Sequence, residues 1–402
     1  MKKKISSCTR RDFLKTAGAA GVGSILAPLK QLSAASGELE TIPTRPFGKT
    51  DEQVSILSLG GTVDLFSNQL MLKQAVNWGV TYWDTAHSYG GGRSEKGIGR
   101  YFAKYPQDRK KIFLVTKSGA WTLKGMTREL NESLERMHTD YVDLFFVHGI
   151  SSIRAMDDDT KAWGERAKRE GKIRFFGFST HSNMEQCLLE GARLGWIDGI
   201  MMTYNYRLMH SDDMRRAVDA CVKAGIGLTA MKTQGGGQVR TDSETELKLA
   251  GRFLEKGFTD AQAKLKAVGE NSQISSICSR MKNMTILMSN VAAARDKTQL
   301  SVRDKELLQL YAQETRSAYC AGCTDICESC VEGEIPIGDV MRYLMYCNSY
   351  EDYDLAAAGF NKIPANIRRG LTDLDYSLAE NKCPQGLPIA KLMQEAKKKL
   401  GT

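Results

Sequence analysis

An α/β chain, built as a closed ring of eight βα units and followed by a smaller, mainly helical module, is predicted by three observations. Short β-rich runs alternate with helical patterns from Arg45 to about residue 300. Several of these runs are almost continuously apolar, and beyond Leu300 the strand signals stop. A run such as Val142-Asp143-Leu144-Phe145-Phe146-Val147 suits a parallel strand covered on both faces. Eight βα units in about 250 residues is the size of a (β/α)8, or TIM, barrel. An open doubly wound sheet fits the alternation nearly as well, but no Gly-x-Gly-x-x-Gly follows the first run, which counts against it.

The eight runs are residues 55–61, 80–86, 112–117, 142–148, 173–180, 199–205, 225–232 and 275–281. Between them lie amphipathic patterns such as 126–137, where Leu130, Leu134 and Met137 share one face, and 214–223. Past Leu300 the pattern turns to helices and loops, and six of the ten cysteines fall between 320 and 383. The expected organisation is a leader over 1–35, a barrel over 45–300 and a helical module over 301–402.

Composition narrows the function. The chain has 402 residues, 42% apolar and 26% charged, enough for a large core. Bases exceed acids by 56 to 47, but seven of those bases and one acid lie in the first 35 residues. The remainder carries a net charge of only about +3, too weak a field to argue for nucleic acid or an anionic membrane. The opening residues, with Arg10-Arg11-Asp12-Phe13-Leu14-Lys15 before a Gly/Ala-rich apolar run over 16–29, resemble a twin-arginine export signal. That run is too short for a membrane span. The resemblance implies export of the folded chain to the periplasm by the twin-arginine machinery, with cleavage near Ala35, and it predicts a cofactor inserted beforehand.

In a barrel of this kind chemistry sits where strands end at the C-terminal face. The second run ends in Asp84-Thr85-Ala86-His87-Ser88-Tyr89, the third in Lys117 and the fourth in His148. Three consecutive strands thus deliver an acid, a tyrosine, a lysine and a histidine to one rim. With Ser94-Glu95 following, this pattern resembles the aldo/keto reductase superfamily from about Arg45 to Ser301. The resemblance implies Tyr89, Asp84, Lys117 and His148 as the catalytic set, a nicotinamide nucleotide as hydride carrier and a small carbonyl, alcohol or sugar-like substrate. Hydride addition to a carbonyl builds charge on oxygen, so a proton donor within hydrogen-bond reach is required. Tyr89 is expected to donate, with Lys117 lowering its pKa, Asp84 holding the lysine and His148 orienting the carbonyl.

The same resemblance places nucleotide contacts at Gly61, Thr62, Asp84, Ser179, Tyr204, Lys232, Arg280 and Asn290. Met201 stands where many members have glutamine, and Arg280 where a phosphate-binding glycine is usual. Arg280 with Lys282 favours NADP(H) as the nucleotide.

Cys320, Cys323 and Cys327 give C-x2-C-x3-C, and Cys383-Pro384 follows 56 residues later. This resembles the cysteine pattern of bacterial ferredoxins and implies one [4Fe-4S] cluster for electron relay or structure, with a redox partner. Cys330 is the alternative to Cys383 as fourth ligand, and disulfides or a structural zinc are the alternatives to the cluster. A rival reading of the whole chain is a non-catalytic electron-transfer or carbohydrate-binding protein with a degenerate barrel site and a structural metal.

Overall fold

Every one of the eight runs overlaps a strand. The computed structural model describes residues 41–236 and 244–401, so the leader expected over 1–35 lies outside the described residues. A short antiparallel hairpin, β1 (Thr44–Pro46) and β2 (Gln53–Ser55), comes first. The barrel strands are β3 (Leu57–Gly60), β4 (Tyr82–Asp84), β5 (Phe113–Ser118), β6 (Val142–Ile150), β7 (Ile173–Thr180), β8 (Gly199–Thr203), β9 (Gly227–Met231) and β10 (Ser276–Ser279). All pair in parallel, and β10 returns to β3 to close the ring.

The barrel interior is filled by Tyr82, Phe113, Val115, Leu144, Phe146 and Met201, with Phe47 among them. Phe47 is fully buried and belongs to the hairpin, a segment that sequence periodicity missed. Glycine admits it: a Cβ on Gly227 would stand 2.5 Å from the Phe47 ring, and one on Gly199 2.9 Å. A side chain at either position would expel the ring or force the strands apart.

Strand ends differ from the expected runs at the C-terminal rim. β4 stops at Asp84, leaving Thr85 to Ser88 as a connection that carries Tyr89 onto the rim. β6 instead continues to Ile150, with its register against β7 shifted between Val147 and Ile150. Gly149 has φ 71° there and donates its N–H to Ser179 Oγ at 2.9 Å. Such irregularities re-aim side chains at barrel rims, and this one brackets His148.

After the barrel the chain is helical, with its own apolar core that includes Val340, Leu344, Phe360, Met393 and Leu400. Helix Val302–Glu314 packs Leu308 and Tyr311 against Phe253 and Tyr206 of the barrel layer. Helix Ile337–Asn348 lies across the C-terminal mouth of the barrel, where Tyr346 covers Lys232 from β9's end with the ammonium 5.0 Å from the ring centroid. Among the described residues no helix is long and apolar enough to cross a membrane.

Candidate active site

β4 and β5 run in register with Asp84 opposite Val115, which sets the Asp84 carboxylate beside Lys117. The Lys117 ammonium donates to Asp84 Oδ1 and, at 2.7 Å, to the Thr85 carbonyl. Both partners are almost fully buried, at 1% and 3% side-chain exposure, so each ion depends on the other. Cys278 on β10 adds its thiol to Asp84 Oδ2 at 3.7 Å. Tyr89 lies against this pair with its ring centroid 5.1 Å from Lys117 Nζ, and His148 meets Tyr89 edge-on at 5.7 Å between centroids. The four residues expected from the sequence are therefore brought together. Behind them Glu95, fully buried, accepts from Thr116 Oγ1 at 2.7 Å and Arg136 Nη1 at 3.1 Å.

Electrostatics differ from the expectation in one respect. Burial, then the negative charge of Asp84, push the Tyr89 phenol well above its ordinary value, so Lys117 does not make it more acidic at rest. Lys117 is committed to Asp84, whose own carboxyl burial raises despite that partner. Burial and the nearby Lys117 lower His148 to about 3, which leaves a neutral imidazole across the neutral range. The resting site is a protonated phenol and a neutral imidazole over a buried ion pair, both suited to donating hydrogen bonds to a developing oxyanion.

The nucleotide-contact residues fare unevenly. Gly61 donates its N–H to the Asp84 carbonyl at 2.7 Å, and a Cβ there would lie 2.6 Å from that oxygen, so its bare backbone forms part of the rim. Ser179 accepts from Gly149, and Asn290 donates to Ser279 Oγ at 2.9 Å. Tyr204 is not brought to the mouth: it is buried in the layer between strands and helices, with its hydroxyl taken by Asn271 at 2.8 Å. Lys232 Nζ sits 3.0 Å from His181 Nδ1. Arg280 donates to the Thr62 carbonyl at 3.1 Å and forms an ion pair with Asp352, which also draws Lys282 to 3.8 Å.

Asp352, Arg342 and Tyr346, all supplied by the segment after the barrel, are residues that sequence reasoning missed. The only sequence signal available was a helical pattern near 340–346, which says nothing about which partner the helix covers. His181, two residues past Ser179, was also missed, although a histidine just after a strand is the same kind of signal that marked His148.

The cysteine expectation is corrected. Cys320, Cys323, Cys327 and Cys383 do line one small apolar cavity with Ile337 and Leu387. Yet among the described residues no group of three or more His, Cys, Asp or Glu side chains is arranged to hold a metal ion. This overturns the [4Fe-4S] assignment, the helical region as an iron-sulfur domain and the structural metal of the rival reading. The physical reason is orientation, since the thiols turn toward nearby backbone carbonyls and do not converge on one point; with no metal present, burial keeps them neutral, Cys320 and Cys327 pushed up to about 12 and Cys323 to about 11. Cys327 is turned toward the Thr324 carbonyl at 3.7 Å, and Cys330 toward that of Ile326 at 3.1 Å.

A closed parallel barrel with this quartet at its C-terminal rim defines an oxidoreductase acting on the carbonyl–alcohol couple. Residues 57–299 match the Aldo/keto reductase family, and the chain belongs to it. L-galactose dehydrogenase of Arabidopsis thaliana is 23% identical over 300 residues, covering 67% of this chain and 94% of that protein. The aldo-keto reductase yakc (NADP(+)) of Schizosaccharomyces pombe is 32% identical over 159 residues, 35% of this chain and 46% of that protein. L-glyceraldehyde 3-phosphate reductase of Escherichia coli is 29% identical over 230 residues, 52% of this chain and 63% of that protein. An aldo-keto reductase from Klebsiella pneumoniae in complex with NADPH superposes with a TM-score of 0.57 at 23% identity, covering 68% of this chain and 95% of that one. That likeness shows the fold.

Proposed function

We propose that the chain is an NADP(H)-dependent oxidoreductase interconverting a small carbonyl compound and its alcohol. The observation that carries the reading is the convergence of Tyr89, His148 and the buried Lys117–Asp84 pair on one face. When bound, the nicotinamide supplies or accepts the hydride. Tyr89 Oη gives its proton to the carbonyl oxygen during reduction and takes it back during oxidation. Neutral His148 holds that oxygen by a hydrogen bond, and Lys117 lies close enough to stabilise the transient phenolate.

Arg280 and Lys282 fit the nucleotide's phosphate, and Gly61 leaves backbone open for close approach. The NADP(+) and NADPH in the names of similar proteins support the same choice, and L-galactose dehydrogenase supports a sugar-like substrate. Tyr89→Phe tests the reading. Turnover is expected to fall by about 100-fold or more with NADPH affinity retained, and near-normal turnover would remove Tyr89 from the chemistry.

The organisation proposed is a catalytic barrel over 45–300 with a helical cover over 301–402. Residues 1–35 are proposed as an export leader on the strength of Arg10-Arg11 and the weakly apolar run behind them. Changing both arginines to lysine should strand full-length protein in the cytoplasm, and processing at the wild-type rate would defeat the export reading.

A further inference from the structure

Helix Ile337–Asn348 does more than close the mouth. Between it and the barrel lies a cavity of about 90 Å³, bounded by His181, Thr203 and Lys232 on the barrel side and by Met341, Arg342 and Met345 on the helix. Its charge is one-sided. Lys232 and Arg342 both line it, and among the described residues no carboxylate forms an ion pair with Lys232, whose neighbours are the His181 imidazole and the Tyr346 ring. Among the described residues Arg342 forms one ion pair, with Asp339, one turn back on its own helix at 2.7 Å and 40% exposed. Tyr343 takes a further hydrogen bond, and the guanidinium's five donors exceed what these two neighbours accept.

Burial and the facing Arg342 push the Lys232 ammonium well below its ordinary range, a penalty that an anion bound between the two side chains relieves. The cavity lies on the same rim as the reacting groups: His181 directly follows β7, Thr203 ends β8 and Lys232 directly follows β9, and Ser179 near His181 accepts from Gly149, the neighbour of His148. Arg280 and Lys282 form a separate cationic site around Asp352.

Resting on the function proposed above, we propose that Arg342, with Lys232 opposite, is a specificity-determining residue that binds an oxyanion carried by the substrate, which is therefore a carbonyl or alcohol compound bearing a carboxylate or a phosphate. The guanidinium fork suits either group bidentately. The two apolar methionines beside it leave room for a short carbon chain between the anion and the reacting carbon.

The test uses the full chain with NADPH and pairs of aldehydes differing in charge: succinic semialdehyde against butanal, and glyceraldehyde 3-phosphate against glyceraldehyde. Wild type should favour the charged member of at least one pair. Arg342→Gln should lower the charged-to-neutral ratio of kcat/KM by about 10- to 100-fold, the loss expected for charge-assisted hydrogen bonds, and Arg342→Lys should restore part of it. Malonate and inorganic phosphate, titrated calorimetrically, supply a readout that needs no turnover: wild type should bind at least one and Arg342→Gln should not.

An unchanged ratio in Arg342→Gln overturns the proposal, as does wild type that binds neither anion. Loss of NADPH affinity in Arg342→Gln with the substrate ratio intact would assign the cavity to the nucleotide's pyrophosphate and also overturns it. If wild type reduces none of the four aldehydes, the functional reading fails for these substrates, and the malonate and phosphate titrations still decide the anion site.

Discussion

Replacing Asp352 with asparagine removes one negative charge while keeping the side chain's other task. Asp352 caps helix Tyr353–Phe360 by accepting the Leu355 N–H at 3.0 Å, and asparagine caps as well as aspartate does. What is lost is the counter-charge on Arg280 and Lys282. Burial opposes ionisation of this carboxyl, yet the Leu355 N–H and the Arg280 guanidinium hold it below its ordinary range, so it is charged at neutral pH and competes with any phosphate for the same cations. The side chains of Arg280 and Asp352 are 27% and 11% exposed, which places their pairing between a surface ion pair and a buried one. A contribution of about 1–2 kcal/mol follows, and removing that competition should tighten NADPH binding by roughly 5- to 30-fold. Fluorescence titration of NADPH and NADH on both proteins, at two salt concentrations, measures the gain. The gain should be larger for NADPH, whose extra 2′-phosphate is the group that needs the cations, and it should shrink with salt. Unchanged or weaker NADPH binding, or an equal gain for NADH, would refute the view that Asp352 occupies the phosphate's place.

Two further outcomes concern stability. Lys117→Met strands the Asp84 carboxylate without its buried partner and should cost about 3–5 kcal/mol in urea denaturation; Asp84→Asn combined with it should recover part of that, and a loss below about 1 kcal/mol for the single variant would contradict the buried pair. Asp304 is fully buried, and although burial favours its neutral form, Lys256, Ser301 and Arg252 outweigh this and hold its carboxyl well below the ordinary range. Because the folded value is depressed, the stabilisation is full above about pH 4, the unfolded range, and is lost as pH falls toward the folded value. Asp304→Asn should therefore be less stable by about 2–3 kcal/mol at pH 7, with the gap from wild type closing in acid; a gap independent of pH would show that the charge is not responsible.

The barrel was legible because strands buried on both faces announce themselves as apolar runs, and each run overlaps its strand. The gathering of Asp84, Tyr89, Lys117 and His148 was legible for a related reason: they lie at or just past the ends of those runs, and strand ends in a parallel barrel share one rim. Phe47 was not legible, since a three-residue strand has too little period to read and its importance lies in glycines 150 and more residues away. Arg342, Tyr346 and Asp352 were missed because helix Ile337–Asn348 is amphipathic like any other, and nothing local states that its partner is the barrel mouth. The cysteines failed in the opposite direction. Their spacing was suggestive, but spacing says which thiols are near one another and not how they are oriented.

Barrel closure joins distant parts of the chain: Ser276 on β10 donates its hydroxyl to the Ser55 carbonyl, 221 positions earlier in sequence. Contacts of such separation must bear the loop entropy before any reward, so they form slowly and late. The chemical groups, Asp84 to His148, emerge early from the ribosome, while Arg342 and Asp352 emerge after the last strand. During synthesis the chain therefore holds Tyr89, Lys117 and His148 well before it holds the helix that covers them. A polypeptide halted between β10 and Ile337 would carry Asp84, Tyr89, Lys117 and His148 with the mouth still lacking Arg342 and Asp352, so the side chains proposed to choose ligands are among the last to arrive.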